Sequence, residues 1–271
     1  MIEPRDLINC KTGERIDYSP YRAACRSIEE SGSLRQFRRD SMIQWMIENM
    51  TDEWGYAFAE ALDIVFPNWM ELSASCNWDD FTDPPLIDIR GRKIAPVTLR
   101  YIFRAMELDQ VFGGLNGKDI SEIGGGYGGL AAAITTMFHP ASYTIYDIEE
   151  PSNLQAAFLF SIGLKTIRCT SDWPSDEKND LVISDHALAE LNPDIRKKYT
   201  ETLLENAKSI AIIWNEMSGV TSSEGRFWLE TTLRRKTIDG NDLPWIENLR
   251  HLMPFSDIES WLYFHESMES V

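Results

Sequence analysis

The chain has 271 residues, of which 43% are hydrophobic, and 43 acidic against 26 basic residues give a net charge of -17. This length and composition allow one large α/β domain with an extension and exclude disorder as the main state. So negative a charge repels phosphate backbones and anionic membrane surfaces. We therefore expect no nucleic-acid partner.

The cysteines and the N-terminal segment indicate the compartment. Cys10, Cys25, Cys76 and Cys169 are widely spaced and show no metal-ligand pattern, as is typical of reduced thiols. The N-terminal segment carries charges where a signal peptide needs an apolar run, and no run approaches the roughly 18 residues of a membrane span. The sequence therefore predicts a cytoplasmic protein without a membrane span.

Residues 1–95 are predicted to form a helical N-terminal region. Apolar residues recur at helical spacing between positions 21 and 66. Two adjacent prolines among turn formers, in NWDDFTDPPLIDIRGRKIAP, indicate a loop or short strands before a further helix near Pro96.

Residues 96–271 show a different texture, in which short apolar runs alternate with amphipathic segments. The runs are DISEI, SYTIYD, KTIRC, DLVISD and SIAIIWN, and the helical segments are 128–138, 152–162, 193–207 and 223–235. Such alternation is typical of βαβ units and predicts a Rossmann-like, doubly wound α/β sheet. The late segment SWLYFHES is predicted to add an antiparallel edge strand.

A cluster of glycines follows the first predicted strand of this domain. In EIGGGYGG, five glycines occupy six positions. At a strand-to-helix turn they allow positive φ and let a ligand approach the backbone amides. The predicted cofactor-binding residues of this turn are Glu122, Gly124, Gly125, Gly126 and Gly128.

Two ligands fit the glycine pattern. Gly124, Gly126 and Gly129 satisfy the dinucleotide pattern GxGxxG, which leaves an NAD(P)-dependent oxidoreductase open. Glu122, however, would repel a pyrophosphate, whereas its carboxylate can meet the cationic amino group of S-adenosylmethionine. The acidic-x-Gly-x-Gly-x-Gly order therefore favours S-adenosylmethionine.

Residues after the second and third strands are expected to hold the adenosine. Asp147 lies 23 residues beyond Gly124, close to the interval at which a carboxylate binds a ribose diol; a solvated strand end is the alternative. Ile148 is expected to flank the adenosine. Ser171 and Asp172 are expected at the adenine edge, unless they form a plain turn.

The segment EIGGGYGGLA, preceded by LRYIF and followed by YTIYDIEEP and DLVISDHALAEL, resembles the bacterial sugar O-methyltransferases of class I fold. The resemblance covers residues 94–217. It implies S-adenosylmethionine as cofactor and a sugar hydroxyl as acceptor, on a glycan precursor or a glycosylated metabolite. A non-sugar metabolite as acceptor, and a methyltransferase-fold subunit without activity, are the alternatives.

Transfer of a methyl group to a hydroxyl needs a base, and His186 follows the fourth predicted strand at the sheet edge where ligands bind. Packing on adenine or capping a helix is the alternative for His186. Asp185, with Asn215 and Glu216, resembles the magnesium ligands of catechol O-methyltransferase, although the family resemblance implies no metal. Glu190 either orients the imidazole or faces solvent.

Two further groups are expected near the ligands. Tyr101, beside Arg100, is assigned to the cofactor site, with a helix-surface salt bridge as the alternative for the pair. The helical N-terminal region is expected to cover the acceptor pocket. Its tryptophans include Trp45, which fits an apolar helical stripe and is expected in the core.

Overall fold

The structure, a computed structural model, describes residues 18–175, 178–215, 222–233, 238–239, 243–249, 252 and 259–264. Its strands form a short hairpin and one large sheet. They are β1 (Ile87–Ile89), β2 (Arg92–Ile94), β3 (Asp119–Ile123), β4 (Ser142–Tyr146), β5 (Arg168–Thr170), β6 (Asn179–Asp185), β7 (Ala207–Asn215), β8 (Ile238–Asp239) and β9 (Glu259–Phe264).

Helices fill the first part of the chain and then cover the sheet. They are α1 (Ser19–Ser31), α2 (Ser41–Met46), α3 (Asp52–Val65), α4 (Trp69–Leu72), α5 (Asp79–Thr82), α6 (Pro96–Val111), α7 (Gly129–Met137), α8 (Glu149–Ser161), α9 (Ala187–Glu190), α10 (Pro193–Tyr199), α11 (Ser222–Leu233) and α12 (Ile246–Leu249). A 3₁₀-helix spans Phe37–Arg39, and a π-helix spans Thr200–Leu204. Among the described residues, no helix is both long and apolar enough to cross a membrane.

The large sheet has the strand order β5-β4-β3-β6-β7-β9-β8. Strands β3 to β7 pair in parallel, whereas β9 runs antiparallel to both β7 and β8. From β3 the chain winds outward through β4 and β5, and then returns to place β6 on the other side of β3. The predicted doubly wound sheet with an antiparallel strand near one edge is thereby confirmed.

The central strands explain why the sheet needs helices on both faces. In β7 every residue from position 210 to 214 has no exposed surface. A continuous apolar run of this kind, IAIIW, fits a parallel strand that is covered on both sides. The return from β5 to β6 creates a crevice at the carboxyl ends of β3 and β6, which is where open α/β sheets bind ligands.

From residue 18 to 95 the described chain forms helices and the β1–β2 hairpin, and its tryptophans differ in environment. Trp69 and Trp78 are buried. The prediction that Trp45 lies in the core is wrong, because its side chain is 66% exposed. In the short helix α2 the buried face is set by Ile43, and a residue two positions later points about 200° around the helix axis.

A buried charge network attaches the N-terminal region to the sheet domain. Arg38 has no exposed surface, and its guanidinium donates to Glu48 at 2.6 Å, to Asp79 and to Thr98 at 3.3 Å. The same guanidinium lies 5.1 Å from the ring centre of Tyr127, which belongs to the glycine-rich turn. The network therefore fixes the segment after residue 37 directly against that turn.

Candidate active site

The glycine loop, residues 124–128, connects β3 to α7 at the crevice. Gly124 has φ 72 and Gly128, the N-cap of α7, has φ 96, a left-handed conformation that side chains other than glycine rarely adopt. A Cβ atom on Gly124 would also lie 2.3 Å from the Cβ of Ala187. The glycines are therefore required both for the turn and for close packing against α9.

Asp147, at the end of β4, holds the glycine loop. Its Oδ2 accepts hydrogen bonds from the Gly125 amide at 3.1 Å and the Gln155 amide side chain at 2.8 Å, and its Oδ1 accepts from the Ile148 amide at 2.8 Å. A carboxylate offers roughly four acceptor positions, so about one remains for a ligand hydroxyl. Burial raises the pKa of Asp147 to about 6, although these hydrogen bonds lower it.

A cavity of about 80 Å³ lies between the glycine loop, α1 and α9. Predicted cofactor residues line it together with a predicted acceptor residue and four tyrosines: Gly124, Asp147, Ile148, Glu190, Tyr18, Tyr21, Tyr146 and Tyr199. The described residues that line this cavity include no lysine, arginine or histidine. Two carboxylates without a lining cation suit a cationic ligand and would repel a pyrophosphate.

Glu122 lies beneath the cavity and is not one of its lining residues. Its side chain is 1% exposed, and its Oε2 accepts a 2.9 Å hydrogen bond from the Tyr143 hydroxyl. Burial raises the pKa of Glu122 to about 8, partly offset by that hydrogen bond, and the nearby carboxylates of Asp185 and Asp147 raise it further. A cation placed near this carboxyl would favour its ionised form.

The end of β6 carries a chain of charged groups. Arg100 of α6 donates to Asp185 Oδ2 at 2.5 Å, and the other Asp185 oxygen lies 3.8 Å from His186 Nε2. His186 has φ 74, an unusual conformation for a residue with a Cβ atom, and its amide donates to the Ile213 carbonyl. Strained backbone of this kind is typical of functional sites, and it lies where β6 ends, although neither His186 nor Asp185 is among the residues that line the cavity.

Glu190, at the end of α9, contacts the N-terminal region. Its Oε2 accepts a 2.8 Å hydrogen bond from the Tyr18 hydroxyl. The N-terminal end of α9 is held by Ser184, whose hydroxyl accepts a 2.9 Å hydrogen bond from the Leu188 amide. Glu190 therefore lines the cavity and binds Tyr18. Neither of the two expectations for it, orienting His186 or facing solvent, included this contact.

Only three of the ten predicted cofactor residues, Gly124, Asp147 and Ile148, line the cavity; besides Glu122 and the other glycines of the loop, Tyr101, Ser171 and Asp172 lie outside the lining. Tyr101 is buried in the core, with its ring centre 6.0 Å from that of Tyr127. Ser171 is half-buried and Asp172 is exposed, and the Asp172 amide donates to the hydroxyl of Thr170 in a local turn. Ser171 and Asp172 were expected at the adenine edge because they follow the third strand, and Tyr101 was assigned through the LRYIF segment, but none of the three lines this cavity.

The magnesium hypothesis loses support at Asp185, because this carboxylate is bound by Arg100. Asn215 ends β7, but its side chain lies outside the described residues, as does all of Glu216. In the part of the chain that the structure describes, no group of three or more His, Cys, Asp or Glu side chains is arranged to hold a metal.

The structure adds site residues that the sequence analysis missed. Tyr21 reaches the cavity from α1 and Tyr18 from the N-cap position just before it, and the hydroxyl of Tyr21 lies 3.5 Å from the Gly126 carbonyl. No local pattern marks them, because their partners are more than a hundred residues away. Gln155 could have been predicted from the sequence, because it lies about two helical turns after Asp147 on the helix that follows β4.

Several solved structures with a similar fold are methyltransferases. A SAM-dependent methyltransferase from Aquifex aeolicus is 17% identical, with a TM-score of 0.46 over 59% of this chain and 88% of its own. Magnesium protoporphyrin IX methyltransferase from Synechocystis PCC 6803, with bound SAM, is 13% identical, with a TM-score of 0.44 over 80% and 99%. The mitomycin 7-O-methyltransferase MmcR is 15% identical, with a TM-score of 0.43 over 91% and 84%.

No protein-family model and no curated protein sequence matches the chain. The structural similarities concern the fold, and neither the cofactor nor the acceptor of this chain follows from them.

Proposed function

We propose that this protein is an S-adenosylmethionine-dependent O-methyltransferase that acts on a sugar hydroxyl. The observation that carries the proposal is the seat formed by the glycine loop and Asp147, beside a cavity whose described lining holds carboxylates and phenols but no basic side chain. Such a lining favours a sulfonium nucleoside over a dinucleotide. The fold and the sequence resemblance support the same choice.

The residues present fit this cofactor by their chemistry. Asp147 keeps about one acceptor position for a ribose hydroxyl, Ile148 lies beside it in the lining, and Gly124 exposes backbone at the same wall. We assign Glu122 the role of attracting the positively charged amino group of the methionine moiety from the carboxyl end of β3. We assign only indirect roles in holding the cofactor to Ser171, Asp172 and Tyr101, because these residues do not line the cavity.

S-adenosylmethionine, when bound, supplies a methyl group that is activated by a positively charged sulfur. The chain has to hold the acceptor hydroxyl in place and remove its proton. We assign proton removal to the imidazole of His186, with Asp185 orienting the ring and Arg100 fixing Asp185. Glu190 binds the acceptor from the cavity side. Because Arg100 neutralises Asp185, this mechanism uses no magnesium ion.

A sugar is the acceptor that the resemblance implies, as a glycan precursor or a glycosylated metabolite. The net charge of -17 disfavours a nucleic-acid acceptor. The tyrosines of the cavity offer hydroxyl groups and apolar faces, and both suit a carbohydrate.

Calorimetric titration tests the cofactor. We expect saturable heat with S-adenosylhomocysteine and none with NADH. Asp147→Asn, which removes the charge and keeps the shape, should weaken S-adenosylhomocysteine binding about tenfold, since a hydrogen bond to a charged group contributes on the order of 1.5 kcal/mol. Glu149→Gln, an exposed carboxyl two residues away, is the matched control. Saturable binding of NADH alone would reverse the proposal.

Transfer of a labelled methyl group to a panel of free sugars, glycosides and nucleotide sugars tests the reaction. His186→Asn should keep S-adenosylhomocysteine affinity and lose at least a hundredfold in turnover, the range of a general base. Full turnover in this variant would remove His186 from the mechanism. Binding without turnover on any acceptor would favour a methyltransferase-fold subunit without activity.

A further inference from the structure

Helix α1 forms one wall of the cavity and is attached to it by polar contacts at successive turns. Tyr18 and Tyr21 are lining residues, and their hydroxyls contact Glu190 and the Gly126 carbonyl. The buried stripe of the helix consists of Tyr21, Cys25 and Ile28, at helical spacing. The helix therefore covers the seat of the proposed cofactor.

The covered cavity is too small for that cofactor. Its volume is about 80 Å³, whereas sites for small molecules and cofactors measure roughly 300–1,000 Å³. The sheet and the glycine loop form the opposite side of the cavity. Arg38 and its partners fix the segment after residue 37 against that loop. Among the described walls of the cavity, α1 is joined to the Arg38 network through a short exposed connection.

The connection between α1 and the Arg38 network can act as a hinge. Gly32 ends the helix at φ 62, and a Cβ atom there would meet nothing within 4 Å. Residues 32–36 are exposed apart from Leu34, which is half-buried, and the chain becomes buried again at Phe37. Rotation in this segment would displace α1 without disturbing the sheet or the Arg38 network.

Two arginines hold α1 in place through one carboxylate. Arg22 Nε donates to Glu150 Oε2 at 2.7 Å, and Arg26, one turn later, donates to the other oxygen of the same group. Glu150 belongs to the first turn of α8 and is 5% exposed. Both ion pairs must break together when α1 leaves, because they share Glu150.

We propose that α1 is a lid over the cofactor site, that it opens at residues 32–36 to admit the nucleoside, and that Arg22, Arg26 and Glu150 form its latch. The identity of the entering ligand rests on the proposed function. The lid and its latch rest on the contacts of α1 alone, so the two can fail separately.

Cys25 provides a direct readout of opening. Its thiol is fully buried on the inner face of α1, and burial raises its pKa to about 12, so it reacts slowly while the helix is closed. We would measure alkylation of Cys25 by N-ethylmaleimide, resolved from the other cysteines by peptide mass spectrometry. Cys76, buried outside the lid, reports global unfolding in the same sample.

Glu150→Gln should raise the alkylation rate of Cys25 about fivefold, the upper range for a partly exposed ion pair, and leave Cys76 unchanged. Glu149→Gln, the same charge change on the exposed neighbour, should change the Cys25 rate less than twofold. Sodium chloride at high concentration should accelerate Cys25 in the wild type and not in Glu150→Gln. An unchanged rate in Glu150→Gln, or parallel acceleration of Cys76, would overturn the lid.

Saturating S-adenosylhomocysteine should accelerate alkylation of Cys25 in the wild type, because the closed cavity of about 80 Å³ does not hold the nucleoside, so binding favours the open lid. If the latch variants behave as expected and the nucleoside has no effect, the lid stands and the proposed cofactor is refuted.

Discussion

Replacing Glu122 by Gln tests whether the carboxyl under the glycine loop is held in its neutral form. The side chain is buried at the penultimate position of β3 and accepts a hydrogen bond from Tyr143. Glutamine has nearly the same shape, and its amide oxygen can accept the same hydrogen bond. The substitution therefore removes the ionisable group and changes little else.

The magnitude follows from the pKa of Glu122, which burial raises from 4.5 to about 8. Between these two values the folded state binds more protons than the unfolded state, so the free energy of unfolding falls as the pH rises. A difference of about 3.5 in pKa corresponds to about 5 kcal/mol. This destabilisation is absent below pH 4.5 and complete above pH 8.

Urea denaturation at a series of pH values from 5 to 9 measures the effect. At pH 5 the two proteins should have similar stability, and at pH 9 Glu122→Gln should be more stable by up to about 5 kcal/mol. Asp147 titrates in both proteins and its charge raises the pKa of Glu122, so the difference between the two curves measures Glu122 together with this coupling. Parallel stability curves across this range would show that Glu122 ionises without cost, and the argument from burial would be refuted.

Two further substitutions test the loop and the charged chain at the end of β6. Gly124→Ala should lower the free energy of unfolding by about 2 kcal/mol or more in urea denaturation, because it adds a clash with Ala187 to the cost of positive φ. Gly32→Ala, at similar φ in open space, should lower it by about 1 kcal/mol. Equal losses in the two variants would exclude the clash. Arg100→Leu should destabilise the protein by about 3 kcal/mol, because it removes the cation from the buried carboxylate of Asp185, and the double variant Arg100→Leu/Asp185→Leu should recover most of the loss. A double variant as unstable as the single one would contradict this pairing.

The sheet could be predicted from the sequence because its signals are local. The central strands β6 and β7 contain continuous apolar runs, LVI and IAIIW, and the glycine loop is marked by its composition. Helix limits were less accurate where the backbone departs from regular geometry. The predicted helix 193–207 is α10, Pro193–Tyr199, followed by the π-helix Thr200–Leu204, and no periodicity distinguishes these two forms.

The sequence predicted the site residues that lie at strand ends, but it did not predict the contacts between segments that are distant in the chain. Asp147 and Gly124 lie together because β3 and β4 are adjacent, which the βαβ pattern implies. The bond between Tyr18 and Glu190 joins residues 172 positions apart, and the pairing of Arg100 with Asp185 spans 85. Such contacts depend on how the helices pack, and a sequence pattern contains no information on that.

The N-terminal region consists of two parts with different attachments, and truncation should separate them. A chain starting at residue 33 loses α1 and keeps the Arg38 network, so we expect it to unfold cooperatively. A chain starting at Pro96 also loses the aromatic partners of Tyr127 and Phe103, whose ring centres lie 5.4 Å from Phe37 and 5.6 Å from Phe58. Each large apolar side chain exposed costs roughly 1.5–3 kcal/mol, and a few such losses exceed the stability of a typical domain. We expect this shorter chain to bind a hydrophobic dye and to lack a cooperative urea transition; cooperative unfolding with full affinity for S-adenosylhomocysteine would show that residues 33–95 are dispensable for the sheet domain.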